Sequence, residues 1–211
     1  MTDDDAPRTP APRRRGRPAR TEAGSGPGAR ERILGAARAE FAEHGYDKAS
    51  IRGIAKAAGV DPALVHHYFG PKEQIFAAAV EVTMTPALGA PDTVAEGDPE
   101  GAGERLTRFF LGIWEDPVTR EPLLAVLRSA VANRTAAAVF RDLVATRLMA
   151  RVAGHLEGPD TRLRSELAAA QLVGVVMMRH VIGLEPLASA DLEEIVAATA
   201  PVVQHHLRAG D

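Results

Sequence analysis

Apolar residues recur along this chain in steps of three and four. Ile33, Ala37 and Phe41, with Leu34 alongside, form a stripe that predicts a helix over 29–44. Ile51, Ile54, Ala55 and Ala58 fall at i, i+3, i+4 and i+7 and predict a second. A very short third helix turns Leu64, Val65 and Phe69 inward. A fourth runs from Pro71 through Ile75, Phe76, Ala79 and Val80 to about Thr85, where Pro86 stops it. The Gly-, Pro- and acid-rich stretch 86–102 reads as a loop at a domain border. Beyond it the same period predicts helices near 103–115, 118–133, 135–156, 160–184 and 189–208, with Pro201 kinking or breaking the last. No stretch alternates with the period of a strand, so the fold class is all-α. Leu167–Ile182 and Leu192–Leu207 are apolar almost all round and need burial on more than one side. That burial comes either inside one domain or, the reading we favour, in a four-helix interface with a twofold-related copy.

Start and stop signals between residues 50 and 72 define a tight helical pair. Ser50 is placed to cap the first helix, and Gly59 sits where a helix ends in the left-handed conformation. Asp61-Pro62 restarts the chain with an N-cap followed by a proline at the first helical position. Gly70-Pro71 ends the second helix after about two turns. A two-turn helix carrying His66, His67 and Tyr68 makes a poor core element. It suits a recognition helix, which enters the DNA major groove while the preceding helix crosses the backbone. The plain alternative is an ordinary helical hairpin.

Phe41, Gly45 and Tyr46, then S-I-R-G-I-A-K-A-A-G-V, H-H-Y-F and P-K-E-Q-I-F, resemble the N-terminal domain of the tetracycline-repressor family of bacterial transcription regulators over about residues 29–82. The rest is similar to that family only in helical character and length. The resemblance implies a three-helix DNA-binding domain at 29–85 and a helical ligand-binding and dimerisation domain at 86–211. Leu64 and His66 depart from the small hydroxyl residue and the tyrosine common at those places in the family.

Charge distribution adds a third segment. The chain is −3 overall, but residues 1–29 carry six Arg against four acids, residues 30–82 seven of each, and residues 83–211 twelve basic against seventeen acidic. Positive charge therefore gathers at one end, as expected where only that end meets phosphate. Residues 1–28 hold almost no large apolar side chains and read as a disordered basic arm. Within it, Arg13-Arg14-Arg15-Gly16-Arg17-Pro18-Ala19-Arg20 resembles an AT-hook, which lays arginine in a narrow A·T-rich minor groove. The alternative, a generic basic tail, is the one favoured by sequence alone. Cysteine is absent, excluding disulfides and thiolate chemistry. There is no apolar leader, and the uncharged run Leu167–Met178 is too short to cross a membrane, so a cytoplasmic protein is expected.

The candidate DNA contacts are Ser50, Arg52, Pro62, Ala63, His66, His67, Tyr68 and Lys72. The fork of Arg52 matches guanine O6 and N7. Lys72 points to a phosphate beside helix-start amides. His66 and Tyr68 can hydrogen-bond phosphates or base edges, and His67 either joins them or packs under its helix. Adjacent histidines such as His66-His67 and His205-His206 diverge by about 100° on a helix and chelate poorly, so no metal and no cofactor is expected. A ligand cavity would draw on Phe109, Phe110, Trp114, Phe140, Gln171, Met177, Met178 and His180, apolar walls with a few polar groups. No nucleophile–base pair, phosphate loop or carboxylate pair suggests an enzyme. The expectation is a homodimer, joined through helices near 160–184 and 189–208, that binds double-stranded operator DNA as a repressor and is released by an unknown small apolar effector. An activator or ligand-independent regulator is the near alternative. A small helical enzyme or carrier with an incidental helix-turn-helix is the distant one.

Overall fold

The computed structural model describes residues 27–208. The Arg13–Arg20 run and the disorder expected of the arm lie outside the described residues. Every described element is helical: α1 (Pro27–Lys48), α2 (Ile51–Ala58), α3 (Pro62–Phe69), α4 (Lys72–Thr83), α5 (Ala90–Ala95), α6 (Ala102–Glu115), α7 (Pro117–Ala132), α8 (Arg134–Leu143), α9 (Ala150–Ala153), α10 (Thr161–Val176) and α11 (Leu192–Leu207).

The local signals place these elements. At Gly45 (φ 69°, ψ 175°) the α1 backbone breaks, so residues 46–48 form a separate last turn. Ser50 caps α2 by accepting the Gly53 amide at 2.9 Å. Gly59 is left-handed (φ 66°), and the Val60 amide bonds back to Ala55 O. Asp61 caps α3 through the Ala63 amide at 2.7 Å, with Pro62 in the first turn.

Four expectations need correction. Residues 86–102 are mostly helical turns, not an open loop: Thr85–Gly89 and Pro99–Gly101 are 3-10 turns flanking α5. Burial of Ala90, Pro91 and Val94 outweighs the poor helical propensity there. Second, Pro201 does not break α11. It lies on the exposed side, where the carbonyl it leaves unpaired is open to solvent. Third, the helices expected at 135–156 and 160–184 each contain a π-helical turn, Val144–Met149 and Met177–Ile182. Fourth, through that second turn the apolar helix Thr161–Ile182 reaches 22 residues, long enough by length and composition to cross a membrane. It packs on α11 and α6.

One core cluster runs from Ile33, Phe41 and Ile54 through Phe76 and Val80 to Leu111, Trp114 and Leu124, joining the N-terminal helices to α6–α8. A second joins Val94, Leu106, Val152, Leu172 and Val203. Two polar links cross between the halves: Asn133 donates to Asp47 at 2.6 Å, and Arg147 pairs with Glu81 of α4 at 3.1 Å. On the outer faces of α10, its π turn and α11, Leu163, Leu167, Met178, Ile182 and Val202 are left exposed, as is Leu184 just beyond the π turn.

Candidate nucleic-acid interface and apolar cavity

The interface begins with α2, whose buried Ile54, Ala55 and Ala58 turn Arg52 and Lys56 to solvent. Val65 and Phe69 hold α3 to the core in the same way and leave Pro62, Ala63, His66 and His67 exposed. Tyr68 is half-buried, and His67 sits edge-on to it at 5.4 Å, so His67 does not pack beneath the helix. His66 Nδ1 lies 3.1 Å from Gly70 O. With that nitrogen protonated and donating, Nε2 is left as an outward acceptor. Arg52 has no ion-pair partner among the described residues. Ser50 keeps its hydroxyl hydrogen for an outside acceptor while its oxygen caps α2.

Lys72 is more engaged than a free phosphate contact. Its Nζ donates to Asp47 O at 3.2 Å and lies 4.7 Å above the Tyr46 ring. The Tyr46 ring stands edge-on to Phe76 at 4.9 Å, and burial pushes its hydroxyl pKa up, with Glu73 and Asp47 adding to the shift. The ammonium still has hydrogens to offer at the α4 N-terminus.

Sequence reasoning missed three supports of this surface, all long-range. Glu40 accepts the Ser50 amide at 3.1 Å. Arg32 Nε donates to Ala58 O at 3.4 Å. The Arg30 guanidinium sits 5.1 Å over the Phe69 ring, fixing the start of α1 against the end of α3. None leaves a local signal, since each pairs residues 10 or more positions apart.

Between α6, α7, α8, its π turn and α10 lies a cavity of about 140 Å³. Phe110, Trp114 and Phe140 line it, with Leu148, Leu172 and Met84, the last at the foot of α4. No charged side chain reaches it, and its one hydroxyl, Ser165, donates to Arg162 O at 2.7 Å. The other sequence candidates are elsewhere. Phe109 packs on the second core cluster, and Gln171 and Met178 face outward. Met177 is half-buried outside the cavity wall. His180 lies 3.5 Å from Glu115, the carboxylate that also accepts Arg179 Nε at 2.8 Å. Arg179 further donates to Leu187 O and Ala190 O, tying the chain before α11 to the end of α6. Burial pushes His180 below its usual pKa, and the nearby Arg120 and Arg179 act the same way, while Glu115 opposes them. Among the described residues no cluster of His, Asp and Glu could hold a metal ion.

Residues 33–79 match the model described as "Bacterial regulatory proteins, tetR family", and residues 100–207 match "Tetracyclin repressor-like, C-terminal domain". A TetR-family regulator from Streptomyces coelicolor A3 is 38% identical, with a TM-score of 0.68 over 91% of this chain and 99% of that one. The HTH-type transcriptional repressor AcnR of Corynebacterium glutamicum is 44% identical over 88 residues, 42% of each protein, so this chain spans well under half the length of that relative. The regulator BetI of Agrobacterium fabrum is 28% identical over 79% of this chain and 84% of its own length. SmeT, solved as a complex with triclosan, shares the fold at 22% identity and a TM-score of 0.63, covering 83% of this chain and 90% of that one.

Proposed function

Since this chain belongs to the tetR family of bacterial regulatory proteins, we propose that it works in the cytoplasm as a homodimeric, operator-binding transcriptional repressor released by a small apolar ligand. The observation that carries the reading is α3: capped by Asp61, anchored by Val65 and Phe69, and presenting Pro62, Ala63, His66 and His67 between Arg52 and Lys72. Such a helix fits the major groove, and its neighbours supply phosphate contacts. We place the border between a DNA-binding unit and an effector and dimer unit near residue 85.

The exposed apolar residues of α10 and α11 support a twofold interface, because monomers rarely leave so many large apolar side chains along one helical pair. A twofold dimer would set two α3 helices about 34–36 Å apart, one DNA turn, for a near-palindromic site. The cavity supports an uncharged ligand, and its contact with Met84 gives such a ligand a grip on α4. For release, the ligand must bind the spread state more tightly than the DNA-bound state.

The test is selection from a pool of random duplexes at about physiological salt. Enrichment of a palindrome is expected. Weak, salt-sensitive binding with no enriched sequence would reduce the helical pair to scaffold and favour an enzyme or carrier.

A further inference from the structure

We propose that Asn133, at the junction of α7 and α8, is a positioning residue for DNA contact: through Asp47 it holds the turn that cradles Lys72, so that junction governs a phosphate contact. The proposal rests on the operator-binding reading above.

Tyr46 and Asp47 form the cradle. The Lys72 ammonium lies 4.7 Å above the Tyr46 ring and donates to Asp47 O at 3.2 Å. At Gly45 the backbone leaves helical geometry (φ 69°, ψ 175°), so the cradle is a separate turn rather than part of the α1 ladder. Two side chains fasten that turn. The Tyr46 ring stands edge-on to Phe76 at 4.9 Å and stacks on Phe41 at 6.2 Å, which holds the inner side. Asp47 is exposed, and its carboxylate accepts Asn133 Nδ2 at 2.6 Å, which holds the outer side. A hydrogen bond to an ionised carboxylate is about twice as strong as a neutral one.

The Asn133 amide is committed at both ends. Its Oδ1 accepts the Ala136 amide at 2.9 Å and caps α8, and that bond turns Nδ2 toward Asp47. Asn133 also closes α7, its backbone N–H donating to Ser129 O at 3.0 Å. The residue therefore follows any change in the angle between α7 and α8. Both helices wall the apolar cavity, with Leu123 and Leu127 from α7 and Phe140 from α8. Parting them draws Asn133 off Asp47 and loosens the turn. Lys72 then loses a fixed carbonyl, and ordering its long side chain against a phosphate costs more entropy. This route is separate from the one along α4, which meets the cavity at Met84.

The test is a double-mutant cycle on the full-length chain, read as affinity for the selected operator duplex across a range of salt. Asn133→Ser keeps a capping oxygen for α8, removes the donor to Asp47 and leaves the charge unchanged. It should weaken binding about fivefold and lower the salt slope toward that of Lys72→Ala, with sequence preference unchanged. With Lys72→Ala already present, the same change should have an effect of less than about twofold. The exchange Asp47→Asn/Asn133→Asp reverses donor and acceptor, keeps a cap for α8 and preserves net charge, so it should bind within about twofold of wild type. Equal losses from Asn133→Ser with and without Lys72, as a merely structural role gives, would overturn the proposal. So would a wild-type salt slope in Asn133→Ser, or an exchange variant as weak as Lys72→Ala. Failure of the operator reading is distinguishable, because then wild type selects no core sequence at all.

Discussion

Gly103→Ala offers a sharp test of how α6 and α11 meet. Gly103 is buried one residue inside α6, and its amide donates to Gln204 of α11 at 2.6 Å. A Cβ built there would lie 2.6 Å from the Cα, Cβ and backbone N of Gln204. Ordinary carbon contacts lie near 3.5–4.0 Å, so about 1 Å of separation is missing, and backbone cannot rotate away as a side-chain tip can. The two helices must part or tilt, weakening the hydrogen bond between them. Overpacking of this kind costs about 1–3 kcal/mol and the hydrogen bond about 1, against a gain of at most about 1 for replacing helical glycine. The net is a loss of about 2 kcal/mol, or roughly 4–8 °C in Tm for a protein of this size. Gly112→Ala is the internal control: it lies in the same helix, is exposed, and its Cβ would meet nothing within 4 Å. That change should stabilise by about 0.5–1 kcal/mol. Thermal unfolding followed by circular dichroism, at one protein concentration, reads both. A Gly103→Ala protein as stable as Gly112→Ala would refute the close approach of α6 and α11.

Other expectations follow from the same geometry. Asp61→Ala removes the α3 cap and should cost about 1 kcal/mol in denaturant unfolding. Lys72→Ala should weaken binding to every duplex and lower the salt slope by about one, while Arg52→Ala should also relax sequence preference; equal loss of selectivity in both would overturn this division of roles. Glu115→Ala leaves the nearly buried Arg179 guanidinium without its carboxylate and should cost about 3 kcal/mol, measured by urea midpoint. Because folding lowers the His180 pKa, the unfolded chain takes up that proton first. Stability should therefore fall as pH drops below about 6.5, until the folded-state pKa is passed, and His180→Gln should flatten that slope. Benzene, which dry apolar cavities of about this size accept, should shift the emission of Trp114, the sole tryptophan. Filling the cavity with Ala169→Leu should abolish the shift.

What the sequence determined by itself is local chemistry. Ser50 with Gly53, Asp61 with Ala63 and the left-handed Gly59 lie within a few residues of their partners, so caps and turns of the α2–α3 pair were legible, as was the all-helical class from its 3.6-residue period. The N-terminal stripe of Ile33, Ala37 and Phe41 named its own core face. Tertiary structure decided the rest, because those choices depend on what an element meets. Burial of Ala90 and Val94 made a helix where Gly, Pro and acidic composition predicted a loop. Helices apolar all round carry no mark of which side faces inward, so only packing showed that Leu172 and Val176 are core while Gln171 and Met178 face out. The cavity likewise gathers Phe110, Trp114 and Phe140 from three helices, a meeting that no periodicity encodes, and excludes Phe109, whose neighbouring position on α6 turns it toward another core.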